Sequence, residues 1–195
     1  MVSTVRSVVP PSTRGVSLVE ILITLVIIAL GLLGLAGMQT RLQSLDMESY
    51  QRSQALLLLN DMANRISANR SDAASYVTST ALGVGSSCPT TTTKLVDRDK
   101  MEWCNLLLGA SETAGSGLNL QNQGAMIGGR GCVETVGSGV DAYYLVTVAW
   151  QGLTPVVAPP SSNTCGINQY DTAGTACVSD KCRRIVTTVV KVGAL

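Results

Sequence analysis

The sequence predicts an α+β protein in which one very long N-terminal helix precedes a small set of strands. Three observations carry that reading. Val16 to Met38 is an almost unbroken apolar run of 23 residues. Behind it, Gln39 to Arg70 turns polar, keeps a helical period and contains no Gly or Pro. The last third of the chain then holds β-branched and aromatic runs set between glycines and prolines. At 195 residues there is room for one modest globular domain behind such a helix.

The apolar run carries one charge, Glu20, and two hydroxyls, Ser17 and Thr24. As a helix it rises about 35 Å, against a bilayer core of about 30 Å, so it can span. A carboxylate inside such a run costs about 2.5–3.5 kcal/mol on insertion scales and calls for a partner. Residues 1–15 contain Arg6 and Arg14, no acid, Pro10-Pro11 and no apolar stretch of their own. An ordinary secretory signal is cut behind its apolar stretch. Here the processing point is Gly15-Val16, in front of it, so cleavage leaves the membrane segment on the mature chain. The two arginines before the span place the N-terminus in the cytoplasm and the remainder outside. The plainer alternative is a single-pass anchor whose Glu20 sits near a helix start, where the macrodipole favours an anion.

The order Arg14-Gly15, then Val16-Ser17-Leu18-Val19-Glu20, resembles the prepilin signature of type IV pilins and type II secretion pseudopilins. That signature is a basic leader, Gly, a cut, an apolar residue, Ser or Thr, two apolar residues and then Glu. The resemblance implies cleavage by an inner-membrane prepilin peptidase and N-methylation of Val16. It also implies that Glu20 aids assembly by pairing with a neighbour's terminal amine. Val16 stands where Phe or Met is usual, and Gly37 where major pilins often carry Pro.

Within the span, Gly31, Gly34 and Gly37 recur at steps of three. Small residues let membrane helices approach closely, although Gly is also ordinary in such helices and weakens a helix by about 1 kcal/mol relative to Ala. Past the span, Leu42, Leu45, Leu56, Leu59, Ala63 and Ile66 recur at three- and four-residue steps. The broad Leu56–Leu59 run suggests burial against a sheet, giving one helix of about 50 residues that ends near Asn69. Ser79 to Lys94, with Cys88-Pro89 and four consecutive Thr, reads as a surface loop. Asp97 to Leu108 reads as a short helix, and Ala110 to Gly129 as a Gly- and Ser-rich loop. Strands are expected at Arg130–Val136, Ala142–Gln151 and Arg183–Val192. The long passage between the last two carries Pro155, Pro159-Pro160, Cys165 and Cys177.

All six cysteines, Cys88, Cys104, Cys132, Cys165, Cys177 and Cys182, lie beyond the span. An even number on the translocated side suggests disulfides. Zinc is the rival, but there is no Cys-x-x-Cys pair and no His. Cys88 and Cys104 bracket one passage and are placed to staple it. Six cysteines otherwise allow fifteen connectivities.

The search for chemistry finds no catalytic residues, no metal ligands and no cofactor. Without His there is no Ser-His or Cys-His pair. Gly128-Gly129-Arg130-Gly131 lacks the Lys-Ser/Thr of a phosphate loop. Asp97/Asp99 and Asp46/Glu48 sit in polar contexts typical of solvated surface. The 14 basic and 13 acidic residues nearly balance, which argues against bulk binding of nucleic acid. Lys181, Arg183 and Arg184, with Tyr143, Tyr144 and Trp150, could form a nucleic-acid surface, but a charge-guarded strand edge explains them as well.

The pilin resemblance implies a pilin-like architecture, the long helix packed on a small antiparallel sheet. Its parts are a leader at 1–15, a transmembrane or filament-core half-helix at 16–38, an amphipathic half-helix at 39–70, and a disulfide-bearing periplasmic domain at 71–195. Gly31-Leu32-Leu33-Gly34-Leu35-Ala36-Gly37-Met38-Gln39, Val148-Ala149-Trp150-Gln151-Gly152 and Cys182-Arg183-Arg184 resemble PilV-type minor pilins. Such a protein would sit in the inner membrane, enter the filament near its tip, and help prime assembly. Its implied partners are other minor and major pilins, the inner-membrane assembly platform, the prepilin peptidase and a tip adhesin, with nucleic acid unlikely. The alternatives are a type II secretion pseudopilin and a DNA-binding minor pilin for uptake.

Overall fold

The computed structural model describes residues 15–110, 112–115, 121–122 and 126–193. Contacts divide the chain into two compact units, one running through Gln43 and the other from Ser44 onward. Helix α1, Leu18–Ala68, contributes to both and is 51 residues long. It begins where the Ser17 carbonyl accepts from the amides of Glu20 (3.0 Å) and Ile21 (3.2 Å), and its last turn closes with Asn69 N–H on Arg65 O (3.0 Å). With neither Gly nor Pro between residues 39 and 70, nothing interrupts the backbone ladder before Asn69.

In the first unit every described side chain is exposed. The mean hydropathy of its most apolar window is 2.8, and α1 is the one helix among the described residues long and apolar enough to cross a membrane. A contiguous apolar surface of this extent marks a lipid or protein contact.

In the second unit α1 turns one stripe inward. Gln51, Ala55, Leu59, Met62 and Ile66 are buried, at steps of four and three. This corrects the face expected from the leucines. Leu59 and Ile66 are inside and Ala63 half-buried, but Leu45 and Leu56 are exposed, and so is Leu57 within the run. Four successive leucines cover more than a full turn, so they cannot say which side faces inward; Ala55 and Met62 decide it.

Beyond α1, the 3-10 segment Arg70–Tyr76 carries Tyr76 into the core. Strand β1, Leu82–Gly83, follows inside the stretch expected to be only loop. Gly83 has φ +104°, and a Cβ there would stand 2.4 Å from Gly129 O, so only glycine fits. Helix α2, Leu95–Leu107, starts two residues before the expected boundary. Strands β2 (Thr113–Ala114) and β3 (Gln121–Asn122) form a small antiparallel pair in the second expected loop. Strands β4 (Arg130–Val136), β5 (Tyr143–Gln151) and β6 (Arg183–Val190) match the three expected strands to within two residues.

The main sheet has the order β1-β4-β5-β6. Every pair is antiparallel, with Gly131 opposite Val148 and Gln151 opposite Arg183. One face packs on α1 and α2 through Met62, Ile66, Trp103, Leu107, Val133, Val146, Val148 and Trp150. Trp103 is fully buried, and its indole N–H donates to Leu58 O at 2.9 Å, tying α2 to α1. The opposite strand yields space for that ring, since a Cβ on Gly131 would lie 2.2 Å from it. Residues 146–150 of β5 are buried on both faces. The second face is covered by the long passage after β5, through Cys165 and Tyr170 packed against Cys132 and Ala149.

Candidate functional site

Gly15, Val16 and Ser17 precede the first helical residue and are exposed. Gly15 is open on all sides, since a Cβ there would meet nothing within 4 Å. Packing therefore does not demand glycine at this position. Of the leader expected at 1–15, residues 1–14, including Arg6 and Arg14, lie outside the described residues.

Glu20 sits in the first turn of α1, where the unpaired amides of a helix start favour a carboxylate. Its side chain has no partner among the described residues. The other polar group deeper in the run is satisfied internally, as Thr24 Oγ1 donates to Ile21 O at 2.8 Å. Glu20 is thus the polar group of the span that still needs a counterpart. One helical turn separates it from Val16, so a free amine at Val16 would place opposite charges at one end of the helix. Gly31, Gly34 and Gly37 also lie open, and a methyl group added at any of them would meet nothing within 4 Å. Their effect is to leave smooth helix surface available to another helix.

Several charged groups of the second unit hold it together. Arg65 bonds Asp61 (3.0 Å), Asp99 (2.8 Å) and Glu102 (2.7 Å). Burial works against its charge, but the hydrogen bonds to Glu102, Asp99 and Asp61 outweigh it and hold its pKa above the ordinary value. Tyr76 donates to the other oxygen of Asp99. Its phenol is pushed up to about 12, by burial and then by that carboxylate. Burial pushes the Lys100 ammonium down, and it donates to Val77 O at 3.2 Å. Asp99 is therefore a buried hub, not half of a solvated pair with Asp97.

The Lys181-Arg183-Arg184 cluster divides. Arg183 is 1% exposed, donates to the carbonyls of Asn163 (2.9 Å) and Cys165 (3.1 Å), and lies 3.3 Å from Asp180. Arg184 bonds Glu48 at 3.0 Å and the Thr154 carbonyl. Glu48 also accepts the Leu153 amide at 3.0 Å, so it is no partner for Asp46. Lys181 alone stays exposed, and Trp150 is 3% exposed, which removes most of the imagined basic, aromatic surface.

All six cysteines are paired, Cys88 with Cys104, Cys132 with Cys165, and Cys177 with Cys182. The second bridge pins the long passage after β5 to the sheet, and the third closes a tight loop just before β6. Ser179 and Asp180 in that loop have φ near +56° and +59°. Asp171 steadies them by accepting both of their amides, at 3.0 and 2.8 Å. Sequence reasoning missed this capping carboxylate, the Arg65 hub and the Arg183 anchor. Only Asp61 and Arg65, four residues apart on one helix, left a local signal. No group of three or more acidic, Cys or His side chains suited to a metal occurs among the described residues.

The family description of the prokaryotic N-terminal methylation motif matches residues 11–36 of this chain. That stretch takes in Gly15, Val16, Glu20, Gly31 and Gly34 and ends before Gly37 and the second unit. Searches of characterised proteins and of solved structures return no significant match.

Proposed function

We propose, from the premise that the chain is a type IV pilin-like protein, that it is a minor pilin. It is held in the inner membrane by α1, processed at Gly15-Val16, methylated on Val16, and incorporated at low abundance into a filament near its tip. Structural proteins of the pilin family generally have no enzymatic activity, and the role here is assembly with other pilins. The observation that carries this reading is the N-terminal constellation. An open Gly15-Val16 bond stands directly before an exposed apolar helix whose first turn bears the unpartnered Glu20. The PilV-type assignment adds the short similarities around Gly31–Gln39, Val148–Gly152 and Cys182–Arg184. From it come the assembly platform, the other minor and major pilins and a tip adhesin as partners.

In a single subunit, the Val16 amine and Glu20 compete with water and head groups, so their pairing contributes little. Packed among helices with little water, each charge needs a partner, and the amine of a neighbour supplies one to Glu20. Glu20→Gln keeps size and polarity but removes the charge. Expression, leader cleavage and membrane association should survive it, while the amount in sheared filaments relative to the membrane pool falls. Equal incorporation of mutant and wild type would reduce Glu20 to a tolerated charge at a helix start.

A type II secretion pseudopilin shares every N-terminal feature and is the second reading. Uptake of DNA is disfavoured by the internal use of Arg183 and Arg184.

A further inference from the structure

Strand β6 stands at the end of the main sheet and pairs with β5 alone. Two bonds fix which way its backbone groups point. The Gln151 amide of β5 turns away from β6 to Ile127 O, and the next amide, Gly152, donates to Cys182 O, both at 2.8 Å. Direction alternates along an antiparallel ladder, so Arg184, Val186, Thr188 and Val190 turn their backbone groups to β5. Arg183, Ile185, Thr187 and Val189 turn theirs outward. The start of this outer edge is closed, since the Arg183 amide donates to Asp180 O (3.0 Å) and Lys181 O accepts the Val156 amide (2.8 Å). From Ile185 on, the outward N–H and C=O groups have no partner among the described residues.

Sheet edges are ordinarily guarded by charge, proline, a bulge or a covering segment. The opposite edge of this sheet is covered: β1 pairs with Arg130 and Gly131 of β4, and Val133 O accepts the Thr78 amide at 2.9 Å. The β6 edge has none of these devices. Ile185-Val186-Thr187-Thr188-Val189-Val190 carries no charge and no proline. The strand pairs with β5 in unbroken register from Arg183 to Val190, and Thr187 and Val189 are exposed. Arg183 and Arg184, which could have guarded it, are turned to Asp180 and Glu48.

We propose that the sheet is completed along Ile185–Val190 by an extended segment of another protein, uncharged over about five residues, which adds as a further strand. Unpaired N–H and C=O groups repeating every second residue are matched by another extended backbone, not by a helix, whose own groups are already bonded. The β-branched side chains along β6 favour β-branched neighbours across the new pair. A second copy of this chain does not fit. Antiparallel pairing of two β6 edges relates the copies by a two-fold normal to the sheet. That operation reverses every direction in the sheet plane, including the course of α1 along the sheet. The two chains would enter the joined sheet from opposite ends, whereas both come from one membrane. Head-to-tail stacking of copies fails as well, because the edge on β4 is covered. The membrane argument rests on the minor-pilin reading; the open edge does not.

The test uses the full chain in intact cells. A photo-crosslinking residue is placed at Val189, 56% exposed on the edge, and in a control strain at Arg98, exposed on α2. Peptide mass spectrometry should map the Val189 adduct to one uncharged segment of another protein, with no such adduct from Arg98. Thr187→Pro removes an outward amide that β5 does not use and should lower the adduct several-fold. Thr187→Val keeps that amide and should leave the adduct near wild type. Should the proline variant fail to fold, Thr187→Lys keeps the ladder to β5, sets a charge on the edge and should cause the same loss. In the detergent-solubilised chain alone, the amides of Ile185, Thr187 and Val189 should exchange hydrogen fast and those of Val186, Thr188 and Val190 slowly. Uniform protection, an adduct on a second copy of this chain, no adduct from Val189, or an adduct indifferent to the proline and lysine variants would each overturn the proposal. Filaments that lack the wild-type chain, with the adduct intact in the membrane fraction, would instead overturn the minor-pilin reading and leave the strand addition standing.

Discussion

Glu20 and Arg183 are both charges that stand out in this chain, yet only the first draws notice in the sequence. Glu20 announces itself because its neighbours along the chain are apolar. Arg183 looks like one of three basic residues, and its role depends on carbonyls at Asn163 and Cys165 that only the fold brings to it. Gly131 is a similar case, a glycine within a strand whose reason is the Trp103 ring on another element. Gly131→Ala should cost about 1–3 kcal/mol, since neither the ring nor the strand can move freely. A lowered unfolding midpoint of the detergent-solubilised chain checks this, and an unchanged midpoint would show that Trp103 repacks at no cost. Tyr76 offers a test by pH. Below 10.0 its phenol is protonated in the folded and unfolded chain alike, and its contribution to stability is complete. Above that value the unfolded chain ionises first, while the folded one holds the proton to about 12. Stability should therefore fall as pH climbs through that interval, and Tyr76→Phe should make the fall shallower. An identical slope in the variant would remove Tyr76 from the account.

At the scale of elements, α1, α2 and the three long strands were legible because each carries its own period or composition. The two-residue strand β1 was not, since Leu82-Gly83 has no pattern of its own and exists through pairing with Gly131 and Arg130. The inward face of α1 was misread for a related reason, because a run of leucines marks burial without direction. The passage from Gly152 to Cys182 looked like a loop and acts as a cover for the second face of β5. Its stability should depend on the bridges in proportion to the chain they close. Cys132–Cys165 spans 33 residues and Cys177–Cys182 only 5. Replacing Cys132 and Cys165 together by Ser should cost about 2–4 kcal/mol and expose the passage to protease. The Cys177/Cys182 double variant should lose less. Limited proteolysis with peptide mapping reads both, and equal protection of all three proteins would show that Tyr170 and the Arg183 anchor suffice without the bridges.

For the whole molecule, the division of labour follows from where charge is free. In the second unit the arginines Arg65, Arg183 and Arg184 are consumed internally and brace that unit. The first unit offers an uncovered apolar helix, three open glycines and one carboxylate at its start, all suited to joining other helices. Everything proposed for it begins with the removal of the basic leader, because only then does Val16 present an amine one turn from Glu20. The most direct measurement is therefore the N-terminal mass of the protein extracted from membranes. The expected result is a chain starting at Val16 and carrying a methyl group on its amine. An intact Met1, or a start beyond Met38, would contradict it.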